Sequence, residues 1–372
     1  MSVARRLAVI GAALAITAVA GIWYANPQAP WLLSQVNSVE QPSALTGPYT
    51  PAYDFITPST GWALVVDYSA LTTRFFIFHT TDGAAHWYKQ YVGRARGDRP
   101  YLHFFDANHG FAYAGFSYRT ADGGAHWRQI KVPGSQPYVN FASPTDGWAE
   151  TFKAGSQHLF RTGDGGNTWR EVGVTPPATG SAQPVLEPQT STFSSGCEGW
   201  LGAAAMDSPA VVFVTFDCAS SWRAIAFMSP DVAGTRYQTA VRRVTGGSVI
   251  AFVSDGGGHV LGAYVTHDGG DSWHGLPFPT RLSVPEAVSF VDPDHWWILG
   301  AGSIYTSADA GSLWTHVQES GLPGGWQFDI GNAVDAFHAW GILTSSPKPQ
   351  ASMLAMTADG GSHWKVVNAP QP

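Results

Sequence analysis

Between Tyr49 and Asn368 the apolar positions recur in short bursts broken by polar turns and glycines, not at helical spacing. Each burst follows one scheme. An aromatic or apolar strand end leads into a polar turn, then Gly-Trp or a relative, then a further apolar run. That run closes on Thr/Ser-x-Asp, small residues, and a Trp five positions after the Asp. The closing motif stands at Thr80-x-Asp82…Trp87, Thr120-x-Asp122…Trp127, Thr162-x-Asp164…Trp169 and Thr215-x-Asp217…Trp222. It continues at Thr266-x-Asp268…Trp273, Ser307-x-Asp309…Trp314 and Thr357-x-Asp359…Trp364. Successive Asp residues lie 40, 42, 53, 51, 41 and 50 apart, enough for one supersecondary unit each.

The leading element appears as Phe55…Gly61-Trp62, Phe104…Gly110-Phe111, Phe141…Gly147-Trp148 and Phe193…Gly199-Trp200. Later copies are degenerate: Val244-Thr245-Gly246-Gly247, Phe290…Trp296-Trp297 and Phe337…Trp340-Gly341. Each unit therefore reads as four antiparallel strands. In the closing turn the Asp accepts local backbone N–H groups, the hydroxyl adds a bond, and glycines supply positive φ. A Trp at the start of the outer strand is expected to wedge between sheets. Full burial of an indole contributes about 4–6 kcal/mol as an upper bound, so these Trp residues are expected to hold the units together. The fourth and sixth turns, with Cys218 and with Asp309-Ala310-Gly311, depart from the pattern and are expected to be locally distorted.

The motif as it stands in Thr120-Ala-Asp-Gly-Gly-Ala-His-Trp127 resembles the Asp-box, or bacterial neuraminidase repeat, of sialidases, sortilin and xyloglucanases. Seven regular copies, each preceded by the Gly-Trp element, are most similar to photosystem II stability and assembly factor-like repeat proteins. The resemblance implies an all-β fold, a seven-bladed β-propeller of four-stranded antiparallel blades over residues 49–372. It is specific for the repeat and much less so for function.

Composition agrees with short twisted strands: 13% charged residues, 13% aromatic and 42 Gly. The net charge is −7, and −9 without Arg5 and Arg6 (−7 − 2); only five residues are Lys. No basic stripe is present, so nucleic acid is not expected as a partner. Arg5 and Arg6 precede an uncharged apolar run, Leu7 to Tyr24, containing Ala18-Val19-Ala20. Residues 1–25 therefore read as a signal peptide or a retained membrane anchor helix, and residues 26–48 as a linker. The expected location is outside the cytoplasmic membrane, secreted or anchored to its outer side. A strand between Val36 and Tyr49 is also a candidate supplement to the last unit. Cys197 and Cys218 are either a disulfide, as suits an exported protein, or two separate buried thiols.

Three features are candidates for a site. Arg94, Arg96 and Arg99 form a positive spot between the first two units, suited to carboxylates or phosphates. Asp54, His103, Asn140, Arg242, Glu286 and Asp329 are the polar residues expected along a central channel, with strand register able to reverse any of them. The Pro-, Thr- and Ser-rich stretch Val174 to Thr190 is a long connector, a rim contact or a plain insertion. His86, His126 and His363 precede closing Trp residues in different units and are not expected to share an ion, so neither a metal nor a cofactor is expected. No nucleophile–base pair stands in a recognisable context. The reading is a monomeric, non-catalytic exported scaffold that binds a protein, a membrane complex or a cell-surface polymer. Its alternative is a glycoside hydrolase, sialidase-like or xyloglucanase-like, with Glu286, Asp329 and Asp54 as the available carboxylates.

Overall fold

One register repeats from unit to unit and explains the leading motif. In the computed structural model the inner-strand Phe stands opposite the Gly: Phe55 pairs with Gly61, Phe104 with Gly110, Phe141 with Gly147 and Phe193 with Gly199. The ring lies on its own glycine; a Cβ at Gly61 would sit 2.3 Å from the Phe55 ring. The next residue, Trp62, reaches over to the Phe of the following unit. Trp62 stacks on Phe104 at 3.6 Å, Trp148 on Phe193 at 4.6 Å, and Trp340 on Phe55 at 4.0 Å. Phe55, Phe104 and Phe193 are thus clamped between their own strands and a neighbouring unit's indole.

The structure describes residues 44–69, 72–96, 100–153, 156–174, 181–185, 191–194, 196–229, 233–244, 246–279, 288–300, 302–345 and 351–372. The signal or anchor segment, most of the linker and most of Val174 to Thr190 lie outside them. Among the described residues all regular structure is β, and no helix is long and apolar enough to cross a membrane.

By hydrogen bonding the antiparallel strands fall into three four-stranded sheets, units one to three, and two nine-stranded sheets, one joining the strands of units four and five and the other those of units six and seven. Unit one is Tyr49–Phe55, Gly61–Asp67, Arg74–Thr80 and Tyr88–Arg94. Unit two is Tyr101–Phe104, Gly110–Tyr113, Ser117–Thr120 and Arg128–Gln129; unit three is Ser135–Phe141, Gly147–Lys153, Ser156–Thr162 and Arg170–Val174. Unit four is Ser191–Phe193, Gly199–Met206, Val211–Thr215 and Arg223–Ala226; unit five is Arg236–Arg243, Val249–Asp255, Val260–Thr266 and His274–Leu276. Unit six is Val288–Phe290, Trp296–Gly300, Ser303–Ser307 and Thr315–His316; unit seven is Trp326–Ala333, Ala339–Ser345, Ala351–Thr357 and Trp364–Val367.

Contacts link consecutive units and return from the last to the first. Phe111 meets Phe141 across units two and three, and Arg243 pairs with Glu198 at 2.7 Å across five and four. One apolar cluster joins Val244, Ile250 and Phe252 of unit five to Trp296 of unit six. The Ala333 N–H of unit seven donates to Ser289 Oγ of unit six at 3.2 Å. Between seven and one, Trp87 Nε1 donates to the Asn368 carbonyl at 2.8 Å. Leu45–Thr46 pairs with Ala351–Ser352 of unit seven, so the end of the stretch read as linker belongs to the folded body. Leu45 is buried with Phe76, Phe78 and Ala369.

The closing turns share one hydrogen-bond set. The Thr or Ser hydroxyl donates to the Asp at 2.8–2.9 Å in every unit. The fourth and sixth turns keep this geometry, contrary to the distortion their sequences suggest. Ala219 N–H still donates to Thr215 Oγ1 and Gly311 N–H to Ser307 Oγ, both at 2.9 Å, with Cys218, Ala219 and Ala310 held at positive φ. The burial of the indoles also differs from what the closing motif suggests. Trp62, Trp148, Trp200, Trp297 and Trp340, from the leading motif, are the fully buried ones, at 0–1% exposure. Of the closing-motif residues only Trp127 and Trp364 are buried; Trp87, Trp169, Trp222, Trp273 and Trp314 are half-buried. The larger burial free energy therefore sits on the second strand, under the neighbouring Phe. Cys197 and Cys218 are joined as a disulfide across two turns of unit four.

Candidate functional site

The residue before each inner-strand Phe, or before its counterpart Arg243 in unit five and Ala333 in unit seven, occupies an equivalent place. Register assigns that place to Asp54, His103, Asn140, Thr192, Arg242, Ser289 and Asn332. Several of these side chains reach the backbone of the next inner strand. Asp54 Oδ2 accepts from Phe104 N–H at 2.5 Å, and Asn140 Nδ2 donates to the Ser191 carbonyl at 3.5 Å.

Asp54 is the centre of this set. It is 8% exposed, accepts from Asn332 Nδ2 of unit seven at 3.5 Å, and faces His103 Nδ1 of unit two at 3.5 Å. Burial works against the His103 imidazolium, but the hydrogen bond and charge of Asp54 outweigh it and raise its pKa. Tyr101 lies on the same strand face as His103, with ring centroids 6.5 Å apart. Its phenol is pushed up to about 12, first by burial and then by the charge of Asp54; the charge of Arg242 pulls the other way. Tyr101 thus feels charges from units one and five together. Tyr101, His103, Phe111, Asn140 and Phe141 line a shallow recess between units two and three. Tyr138 repeats the place of Tyr101 in unit three, three residues before the Phe, and is 41% exposed.

Four of the channel residues expected from sequence therefore hold equivalent positions: Asp54, His103, Asn140 and Arg242. Asp329 does not. The inner strand of unit seven shifts register between Phe328 and Ile330, leaving Asp329 exposed, and Asn332 takes the equivalent place. Glu286 and Arg99 lie outside the described residues. Arg94 ends the outer strand of unit one and Arg96 sits in the connector, its N–H donating to the Ala114 carbonyl at 2.9 Å. Both are exposed. Tyr101, Tyr138, Thr192, Ser289 and Asn332 were missed. Counting one and three residues back from each inner-strand Phe, or from its counterpart Ala333 in unit seven, would have found them all.

No protein-family model matches the chain, and no curated protein matches it in sequence. Solved structures do. YCF48 from Cyanidioschyzon merolae superposes with a TM-score of 0.54 at 15% identity, over 85% of this chain and 98% of that one. A structure of YCF48 bound to a D1 peptide gives 0.50 at 18% identity, over 85% and 96%. A puromycin-hydrolysing peptidase of Mycobacterium tuberculosis gives 0.54 at 10% identity, over 87% of this chain and 53% of that one. The fold is a β-propeller. In a propeller the inner strands border the central channel, so the Asp54 set lies along its wall.

Chemically the wall offers hydrogen bonding and charge. It combines a carboxylate already engaged on three sides, a phenol held protonated, an imidazole biased toward its cation, and a guanidinium. Among the described residues no group of three His, Cys, Asp or Glu side chains is arranged to hold a metal. His86, His126 and His363 each bond the Asp of their own turn, at 2.6–2.7 Å.

Proposed function

We propose that this chain is an exported, seven-bladed Asp-box propeller that works without catalysis, holding a polypeptide or cell-surface partner at its channel mouth. One observation carries the reading. Among the described residues at the seven wall positions, Asp54 is the sole carboxylate, and its oxygens are taken up by Phe104, His103 and Asn332. Ordinary glycoside hydrolysis needs two carboxyl groups about 5–10 Å apart, one of them free to give or take a proton. Beside Asp54 the wall carries Tyr101, Tyr138, His103 and Arg242, a set that suits recognition of a polar or anionic partner with some apolar surface. The likeness to YCF48, solved with a bound D1 peptide, supports a polypeptide partner. The N-terminal segment, as signal or anchor, would deliver the propeller to the outer side of the membrane.

The test uses the full chain as bait against its own membrane fraction, with Arg242→Glu and Arg96→Glu beside the wild type. A partner captured by the wild type and lost at least tenfold with Arg242→Glu supports the channel mouth. Loss with Arg96→Glu alone moves the surface to the arginine spot. Release of reducing sugar from a polysaccharide panel, abolished in Glu286→Gln with Asp329→Asn, would overturn the non-catalytic reading.

A further inference from the structure

The disulfide of unit four stands where other units place a hydrogen bond. In units one, two, three, four, six and seven the N–H of the residue after the closing Asp donates to the carbonyl of the turn that precedes the second strand. This is so for Gly83 to Ser59, Gly123 to Asn108, Gly165 to Thr145, Ala310 to Asp294 and Gly360 to Phe337. Cys218 to Cys197 is the same bond, at 3.2 Å. The other pairs hold their turns without a covalent link, so the sulfur–sulfur bond is not what shapes this one.

Its setting is electrostatic. Arg161 Nη1 of unit three lies 3.6 Å from Cys218 Sγ and 3.8 Å from Cys197 Sγ. The guanidinium also sits 5.9 Å over the buried Trp148 ring, and its Nη2 pairs with Asp146 Oδ1 at 3.2 Å. The Arg161 side chain is only a fifth exposed, so its charge is weakly screened. Both cysteines are half-buried, and Gly196, Phe216, Asp217 and Ser220 beside them in sequence are exposed.

We infer that Cys197–Cys218 is a thiol-exchange site, open to a dithiol reductant while the propeller stays folded. A thiolate of the dithiol attacks one cysteine sulfur. The S–S bond breaks, and its electron pair leaves on the other sulfur as a thiolate. The second thiol of the reductant then displaces the first cysteine. The protein gains two electrons and two protons as a pair of thiols, and the reductant becomes its disulfide. Whichever sulfur leaves, Arg161 lies against it, and a nearby cation lowers thiol pKa and speeds departure. Asp146 tempers that charge.

The test measures reduction of the native full chain by dithiothreitol at pH 7, with alkylation and mass readout. Arg161→Gln should slow reduction by about tenfold, Arg161→Lys should stay near wild type, and Asp146→Asn should quicken it several-fold. The opposite signs matter, because simple loosening of the turns would quicken both Arg161→Gln and Asp146→Asn. A common acceleration overturns the inference, as does a wild-type bond reduced only in denaturant. Should Arg161→Gln fail to fold, thiolate absorbance of the reduced wild type decides. At least one cysteine should titrate below the ordinary thiol range of about 8.5, and values at or above it overturn the inference.

Discussion

Two neighbouring seams of the propeller are built from the same motif with one ring changed. Between units one and two, Trp62 lies flat on Phe104, with ring planes 6° apart. Between units two and three the indole is replaced by Phe111, which meets Phe141 at 5.4 Å and 47°. The second seam is hollowed: one recess opens beside Tyr101 and His103, and another beside Arg119 and Pro144, both walled by Phe111 and Phe141. The smaller ring cannot cover the facing Phe, and the uncovered space opens beside the polar wall. A structural motif gives up packing where the candidate site lies.

The comparison can be broken most strongly at the filled seam. Trp62→Ala should cost about 3–5 kcal/mol, read as a fall in denaturant midpoint at unchanged m-value. Phe111→Ala should cost clearly less, because its seam is already open; equal losses would remove the distinction. Next comes Asp54, which ties both sides of unit one. Asp54→Ala leaves the Phe104 N–H unpaired and should cost about 1–3 kcal/mol. In the same variant His103 should titrate lower, as followed by NMR, since Asp54 is what raises it. A His103 whose pKa stays put would detach it from Asp54.

The Phe111→Trp change should sharpen the contrast with a smaller effect. If the recess has the shape of the missing indole rim, the variant gains up to about 1 kcal/mol and raises the melting temperature. A fall would show a seam whose backbone has already closed around phenyl. The gentlest test is pH. Hydrogen bonds from His126, Thr168, Ser221 and His363 hold Asp122, Asp164, Asp217 and Asp359 at about 2. Groups so lowered contribute stability above the ordinary carboxyl value of 3.8, and that stability is lost as pH falls through the folded value. His103, raised instead, contributes below about 6.5 and fades as pH rises through its folded pKa. Melting temperature should therefore fall as pH drops below about 4, and fall slightly as pH rises above about 6.5. A flat acid limb would contradict the turn chemistry.

The units were legible because their turn residues are dictated locally, by positive φ and short hydrogen bonds that any copy must satisfy. The indoles were misjudged for the opposite reason. Which Trp is buried depends on what the neighbouring unit offers it, and only Phe104, Phe193 and Phe55 in place reveal Trp62, Trp148 and Trp340 as the stacking partners. At the site, Asp54, His103 and Asn140 could be read because each adjoins a Phe that fixes register. Asp329 misled because Ala333, not a Phe, holds the pairing that marks the wall position in unit seven, so no residue type points to Asn332.

The join between units seven and one gives the propeller a direction in time. Trp87 finds its acceptor 281 residues away, at Asn368, whose own amide returns to Ala85. Nearly every other pairing is local, closing within one unit or with the next. A ribosome can thus release finished sheets one after another while the first waits with an open flank. Circular order requires the stretch around Asn368 to Gln371 to reach the side of Leu45 and Trp87, a contact that closes almost the whole folded body into one loop.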